Sequence, residues 1–267
     1  MIDDLQLTTA LETTARQAER CGFFFDFDGT LSPLQDNPAT VKPAEGAITA
    51  ISQLAALVGT IAVISGRPAG FLHQQTGELP ISRFGLYGME WIDEQGEIQT
   101  DPEVEPFLPV FVEIERRARA ELDPSVLVEF KRLSVGLHFR TAPQQEGGIT
   151  EWAQKIAAEY GVRALPGRMV IELAPPVHRD KGAVVRAIAK DLSCVWYFGD
   201  DLGDVPAMLA LRERAEQDPG FTSVNVAVAN TETVEEVVAA ADIVVASPHD
   251  VVALLERVVA ALRPTTA

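Results

Sequence analysis

The chain has 267 residues, a length at which two domains are expected, and 47% of them are apolar, enough for one sizeable core and a smaller one. Its 39 acidic residues against 22 basic give a formal charge of −17. A surface of that sign excludes nucleic acid and anionic membranes as partners, because both are bound chiefly through Lys and Arg. A small anionic ligand stays possible where a local cluster overrides the net field. The two cysteines, Cys21 and Cys194, exclude a disulfide framework and a zinc-type spacing, and each precedes a strongly apolar run in which a free thiol serves as a small hydrophobe. No apolar stretch approaches the roughly 20 residues of a membrane span. The start, "MIDDLQLTTALETTARQAER", is helix-patterned and acidic, unlike a signal peptide. A cytoplasmic protein is expected, with a monomer favoured.

After that first helix, "CGFFFDFD" (21–28) is a continuous apolar run closing on two aspartates. A helix is predicted over 44–58 and a second all-apolar strand at "TIAVISG" (60–66). Strands apolar on both faces, with helices between them, indicate a parallel sheet covered on both sides. The stretch "GLYGMEWIDEQGEIQT" (85–100) has the pattern of a hairpin turning at "EQGE", and the Pro-rich "DPEVEPFLP" (101–109) that of a linker. Next come a helix over 107–122, strands at "SVLVEFK" (125–131) and "SVGLHFRT" (134–141), a helix at "ITEWAQKIAAEY" (149–160), and strands at "VRALPG" (162–167) and "MVIELAP" (169–175). A second Pro-rich link, "APPVHRD" (174–180), closes this group. The β–α alternation then resumes with "KGAVVRAIAKDL", "CVWYFGDD", "VPAMLALRERAEQ", "SVNVAVA", "TVEEVVAAA", "DIVVA" and "DVVALLERVVAALR". The fold class is therefore α/β: a Rossmann-like, doubly wound parallel sheet (1–103 and 179–267) interrupted by an inserted α+β domain (104–178).

Ligands of such sheets bind outside the carboxyl ends of the strands. Three of those ends carry Asp26-Phe27-Asp28-Gly29-Thr30, Ser65-Gly66-Arg67 and Gly199-Asp200-Asp201-Leu202-Gly203-Asp204. Each motif alone is a common turn. Their conjunction, in order and each at a strand end, is what points to chemistry. A carboxylate cluster repels itself unless a cation neutralises it, and a few hard oxygen ligands with room for water and a phosphate suit Mg²⁺. Bridging Asp26 and Asp200, the cation would let an anionic carboxylate approach an anionic phosphate. Asp26 is the candidate nucleophile, and Asp28 the candidate acid and base. Ser65 and nearby backbone N–H groups are expected on the phosphate oxygens, with Lys181 completing the clamp.

These motifs resemble those of the haloacid dehalogenase-type phosphatases: "DFDGT", "SGR", Lys181 and "GDDLGD" stand in that family's order from about residue 21 onward. The resemblance implies Mg²⁺, Asp26 as nucleophile, and a metal contact from the backbone carbonyl of Asp28. It also implies that Gly66, Arg67, Asp201 and Asp204 support metal and phosphate. Such an insert corresponds to a cap that selects the leaving group. Its strings "VEFKRLSVGLHFR" and "IELAPPVHRDKG", with "GLYGMEW" upstream, are similar to those of trehalose-6-phosphate phosphatases. Carried over residue by residue, Glu129, Lys131, Arg140, Glu172 and Glu90 become substrate-binding candidates. Glu129 and Lys131, two apart on a strand, share a face. His138 is expected to be structural, and Trp91, Trp152 and Trp196 to pack in cores. Gly203 and Val205 depart from the Thr and Glu usual in the fourth motif. The implied activity is Mg²⁺-dependent hydrolysis of trehalose 6-phosphate through an aspartyl-phosphate. Hydrolysis of sucrose phosphate or a glycosyl-glycerate phosphate, a phosphomutase and a non-catalytic sugar-phosphate sensor stand as alternatives.

Overall fold

A run apolar at every position has to be covered on both faces, and the centre of this fold is built from two such runs laid side by side. The structure is a computed structural model describing residues 4–35, 40–167, 169–230 and 233–263. Two units emerge, Met1–Ile98 with Arg179–Ala267, and Gln99–His178. In chain order the first unit contains α1 (Asp4–Arg16), β1 (Cys21–Phe25), α2 (Ala47–Ala55), β2 (Thr60–Ile64), α3 (Ala69–Thr76), β3 (Ser82–Gly85), β4 (Glu90–Ile92) and β5 (Ile98–Thr100), at which the chain leaves it. The second unit contains α4 (Leu108–Glu121), β6 (Leu127–Phe130), β7 (Val135–His138), α5 (Glu146–Tyr160), β8 (Arg163–Gly167) and β9 (Val170–Ala174). The chain then returns through α6 (Lys181–Ile188), β10 (Cys194–Gly199), α7 (Val205–Gln217), β11 (Thr222–Val228), α8 (Glu235–Ala239), β12 (Ile243–Val245) and α9 (Pro248–Leu262). No helix among the described residues is long and apolar enough to cross a membrane.

The large sheet has the order β12-β11-β10-β1-β2-β3-β4-β5. Strands β12 to β3 in that order are parallel, with Phe23 opposite Trp196 and Ile61, and Cys21 opposite Cys194. Successive residues of β1 point to opposite faces. Phe23 and Phe25 join Trp196 and Phe198 in a core closed by α1, α2 and α9, whereas Phe24 joins Tyr197 and Ile64 beneath α6, α7 and α8. All are fully buried, each contributing about 1.5–3 kcal/mol on area grounds. Stacking of Phe23 on Trp196 (5.5 Å) and Phe25 on Phe198 (4.8 Å) locks β1 to β10. The Trp196 indole N–H is satisfied by Thr14 Oγ1 at 2.8 Å. Both cysteines are buried, as expected of small hydrophobes.

The sheet is mixed rather than wholly parallel, because β4 runs antiparallel to β3. The sequence also concealed α3 and β3. In β3, "SRFG", a charged residue breaks the apolar pattern. Arg83 is nonetheless buried: its guanidinium donates to Thr76 Oγ1 (2.7 Å) and to the carbonyls of Ile81 (2.9 Å) and Gly77, closing the carbonyl end of α3. Burial lowers its pKa from the ordinary value, and these partners are what make a buried arginine tolerable.

The second unit is an antiparallel sheet of order β6-β7-β9-β8, one face of which packs Val128, Val135, Leu137 and Leu173 on Phe111, Ile114, Ile149 and Ile156 of α4 and α5. Arg117 of α4 pairs with Glu121 at 2.7 Å and with Glu159 of α5 at 2.8 Å, and Trp152 Nε1 donates to Glu121 at 2.9 Å, tying the two helices together. Register places Glu129, Gly136, Glu172 and Leu165 in one row across the other face.

Candidate active site

Asp26 follows β1 directly, and its N–H donates to the Phe198 carbonyl at 2.9 Å, so the ladder with β10 extends one residue and fixes the aspartate at the sheet's carboxyl end. Phe27 turns back inward, edge-on to Phe71 at 5.6 Å. The loop then tightens, with Leu31 and Ser32 N–H both bonded to the Phe27 carbonyl at 2.9 Å. Gly29 adopts φ +77°, and a Cβ there would stand 2.1 Å from Asp200 Oδ2. Only glycine lets this loop and the loop after β10 meet.

Lys181 opens α6, whose N-cap Asp180 accepts the Ala183 N–H at 2.7 Å. Gly182 lets the start of α6 close on α7, since a Cβ there would fall 2.5 Å from the Pro206 carbonyl oxygen. That approach delivers Lys181 Nζ to Asp26 Oδ1 at 2.6 Å and to Asp204 Oδ1 at 2.7 Å. Asp204 is fully buried and fully occupied. Tyr197 donates to its Oδ1 at 2.6 Å, while Asp200 and Asp201 N–H donate to its Oδ2 at 2.9 and 3.2 Å. Because these partners are backbone amides, Tyr197 and Lys181, the departures at Gly203 and Val205 leave the grip on Asp204 intact. Asp200 receives Asn230 Nδ2 on Oδ2 at 2.8 Å and Thr30 Oγ1 on Oδ1 at 3.5 Å. Thr233 Oγ1 accepts from Asn230 N–H at 2.9 Å and donates toward the Asp200 carbonyl at 3.3 Å.

Carboxylate oxygens of Asp26, Asp200 and Asp204 all lie within 4.8 Å of one another. Three buried carboxylates face one ammonium, which leaves two negative charges unbalanced. Burial pushes Asp26 well above the usual carboxylate range; Lys181 pulls it back, and Asp204 and Asp200 add to the rise. Asp200 is pushed up to about 8, by burial first and then by the charges of Asp204 and Asp201. Burial alone would lower Lys181, but Asp204 and Asp26 hold its ammonium well above its ordinary range. An all-oxygen donor set with surplus negative charge fits a hard divalent cation. With Asp204 occupied, Asp26 and Asp200 are the carboxylates available to hold one.

Ser65 is buried; its N–H bonds to Phe84 O and its carbonyl accepts Tyr87 N–H, both at 3.0 Å, while its Oγ accepts the Arg67 N–H at 3.1 Å. Gly66 separates Ser65 from Arg67 in this turn. Arg67, expected to support phosphate, sets its fork on Asp28, Nε to Oδ2 at 2.7 Å and Nη2 to Oδ1 at 2.6 Å. Glu90, expected to bind substrate, is fully buried on β4 and its Oε2 accepts the Ala69 N–H at 3.1 Å, holding the start of α3. Asp201 is exposed and turned to the Gly203 N–H at 2.8 Å, outside the buried cluster.

In the second unit Lys131 Nζ stands 3.6 Å from both Glu129 and Glu172. Ser134 Oγ donates to Glu172 at 2.7 Å, and His138 Nε2 lies 2.9 Å from Glu129 Oε2. These side chains form one half-buried charged row on the sheet face away from α4 and α5. Arg140 is not part of it. It lies in an exposed turn past the end of β7, while Gly136 is the residue opposite Glu129. Sequence reasoning missed Asn230, Thr233, Tyr197 and Ser134. Asn230 follows the carboxyl end of β11, so the strand-end rule applied to a fourth strand would have found it. Tyr197 read as one more apolar strand residue.

The sequence model of the trehalose-phosphatase family matches residues 24–249. A protein named trehalose-phosphate phosphatase from Mycolicibacterium paratuberculosis is 35% identical over 199 residues, 71% of this chain and 51% of the relative. One of the same name from Mycobacterium marinum is 33% identical over 220 residues, 77% of this chain and 56% of the relative. The chain thus spans about half the length of the curated relatives it matches. Among solved structures, the C-terminal domain of Candida albicans trehalose-6-phosphate phosphatase superposes with a TM-score of 0.74 at 21% identity, covering 97% of this chain and 98% of that one. A protein described as related to trehalose-6-phosphate phosphatase gives 0.72 at 24% identity, covering 90% and 97%. These structural likenesses establish the fold.

Proposed function

The chain belongs to the trehalose-phosphatase family, and from that premise we propose that it is a phosphoric monoester hydrolase converting trehalose 6-phosphate to trehalose and inorganic phosphate. The observation that carries the proposal is the Lys181 bridge, 2.6 Å from Asp26 and 2.7 Å from Asp204, beside a third buried carboxylate, Asp200. An ammonium so placed holds Asp26 in line and lowers the charge that an incoming phosphate meets.

Asp26 attacks phosphorus, forming an aspartyl-phosphate as the bond to the sugar oxygen breaks, and Asp28 supplies the proton to that oxygen. Asp28 then takes a proton from the water that hydrolyses the aspartyl-phosphate. Ser65 Oγ, which accepts from Arg67 N–H, keeps its own hydrogen for a phosphate oxygen. Mg²⁺ held by Asp26, Asp200 and the Asp28 carbonyl would supply the charge screening that lets two anions meet. Glu129, Lys131 and Glu172 take the sugar, since charged side chains make the stronger hydrogen bonds to its hydroxyls.

The test is phosphate release from a panel of trehalose 6-phosphate, sucrose 6-phosphate and glucosyl-glycerate phosphate, with and without Mg²⁺, in wild type and D26N. Preferred turnover of trehalose 6-phosphate that requires Mg²⁺, and its loss in D26N with sugar phosphate still bound, is expected. Comparable turnover across the panel contradicts the substrate assignment, and undiminished release by D26N contradicts the mechanism.

A further inference from the structure

Both oxygens of Asp28 are gripped by a single guanidinium, with Arg67 Nε 2.7 Å from Oδ2 and Nη2 2.6 Å from Oδ1. A planar two-point fit of this kind fixes the plane of a carboxylate as well as its distance, which a point charge cannot do. Arg67 is itself built into the protein. Its guanidinium carbon lies 4.9 Å from the centroid of Phe71, and Phe71 stands edge-on to Phe27 between the two aspartates. Its N–H donates to Ser65 Oγ at 3.1 Å, and its carbonyl accepts Leu86 N–H at 2.9 Å. The Arg67 side chain is 13% exposed and the Asp28 side chain 30%, so the more accessible end of the pair is the carboxylate. Asp28 fills the Nε–Nη2 edge of Arg67.

We propose that Arg67 is a positioning residue that acts through Asp28, orienting its carboxyl group toward the leaving oxygen. The inference rests on the reading of Asp28 as proton donor given above. In the first step the Asp26 oxygen bonds to phosphorus, the bond from phosphorus to the sugar oxygen breaks, and the Asp28 proton goes to that oxygen, releasing a neutral alcohol. One arm of Arg67 stays on one Asp28 oxygen while the other oxygen gives up the proton. The requirement for Arg67 therefore follows the leaving group's requirement for a proton. A sugar alkoxide needs one, whereas p-nitrophenolate leaves without.

The experiment is single-turnover release of the leaving group, enzyme in excess and Mg²⁺ present, from trehalose 6-phosphate and from p-nitrophenyl phosphate, in wild type, R67A, R67K and D28N. General-acid catalysis is worth about 10²–10⁴, so R67A is expected to slow sugar release about 10- to 100-fold, with p-nitrophenolate release within about threefold of wild type. R67K keeps the charge without the fork and should recover little, and it carries the same comparison should R67A fail to fold. D28N should show the same contrast between substrates, larger in size. An equal loss on both substrates in R67A and R67K marks a phosphate-binding arginine and overturns the proposal, as does undiminished sugar release. If D28N shows no contrast, the reading of Asp28 fails and the proposal with it. That outcome is distinct, because in the other two D28N keeps its contrast.

Discussion

The buried cluster of the first unit joins Lys181 to Asp26 across 155 residues of chain and draws Asp200 and Asp204 from a third loop, with the lysine side chain 3% exposed. The charged row of the second unit takes Glu129, Lys131, Ser134 and His138 from one hairpin and Glu172 from the adjacent strand, with Lys131 16% exposed. In the first, removing Lys181 strands buried carboxylates with no cation beside them. In the second, water compensates part of any loss. Rigid placement suits a group that bonds to phosphorus, and a wetter, adjustable row suits recognition of hydroxyls.

The comparison breaks most readily at its two lysines. Replacing Lys181 by Met leaves Asp26 and Asp204 facing each other, and a loss of about 3–5 kcal/mol in denaturant unfolding is expected. Phosphate release should fall by at least about 10³, as when a preorganised charge is taken from a reacting site. Lys131→Met should cost no more than about 1 kcal/mol, and the reverse order of stabilities would contradict the contrast.

Asp200 sharpens the contrast through pH. Its folded pKa of about 8 is raised above the ordinary 3.8. Its contribution to stability is therefore fully present below 3.8 and is lost as pH rises through about 8. The Tm advantage of D200N over metal-free wild type should accordingly widen as pH rises toward 8, and Mg²⁺ should raise the wild-type Tm most at alkaline pH. A Mg²⁺ effect that does not vary with pH would separate the cation from these carboxylates.

Smaller effects belong to the second unit. E129Q is expected to raise KM for trehalose 6-phosphate about tenfold, the scale of one charged hydrogen bond, with p-nitrophenyl phosphate turnover unchanged. The smallest concerns Glu121, which hydrogen bonds from Arg117 and then Trp152 hold down to about 2 against an ordinary 4.5. A depressed carboxylate stabilises above its unfolded pKa, and that contribution disappears as pH falls from 4.5 through about 2. The Tm difference between wild type and E121Q should shrink over that interval in acid denaturation.

Much of this was legible in the sequence because the decisive residues sit next to loud patterns. "FFFDFDGT" carries its own strand and its own loop, and "DKG" carries a helix start with its cap. The illegible parts depended on partners far away in the chain. Arg83 disguised β3, since nothing local says that α3 will present carbonyls to it. Arg67 and Glu90 have the side chains of ligand-binding residues, but where those side chains turn is decided by Asp28 and by the Ala69 amide. Arg140 shares a face with Glu129 only if its strand runs on, and β7 stops at His138. Tyr197 belongs to the apolar strand by pattern and to Asp204 by its hydroxyl.

The central claim, that Asp26 takes the phosphoryl group, is tested most directly by acid-quenching the Mg²⁺-loaded enzyme during turnover of trehalose 6-phosphate labelled on phosphorus and mapping the label by peptide mass. Label on Asp26 in wild type, with none in D26N, is the predicted result. An enzyme that releases phosphate while no label reaches Asp26, or a D26N protein labelled as heavily as wild type, would contradict it.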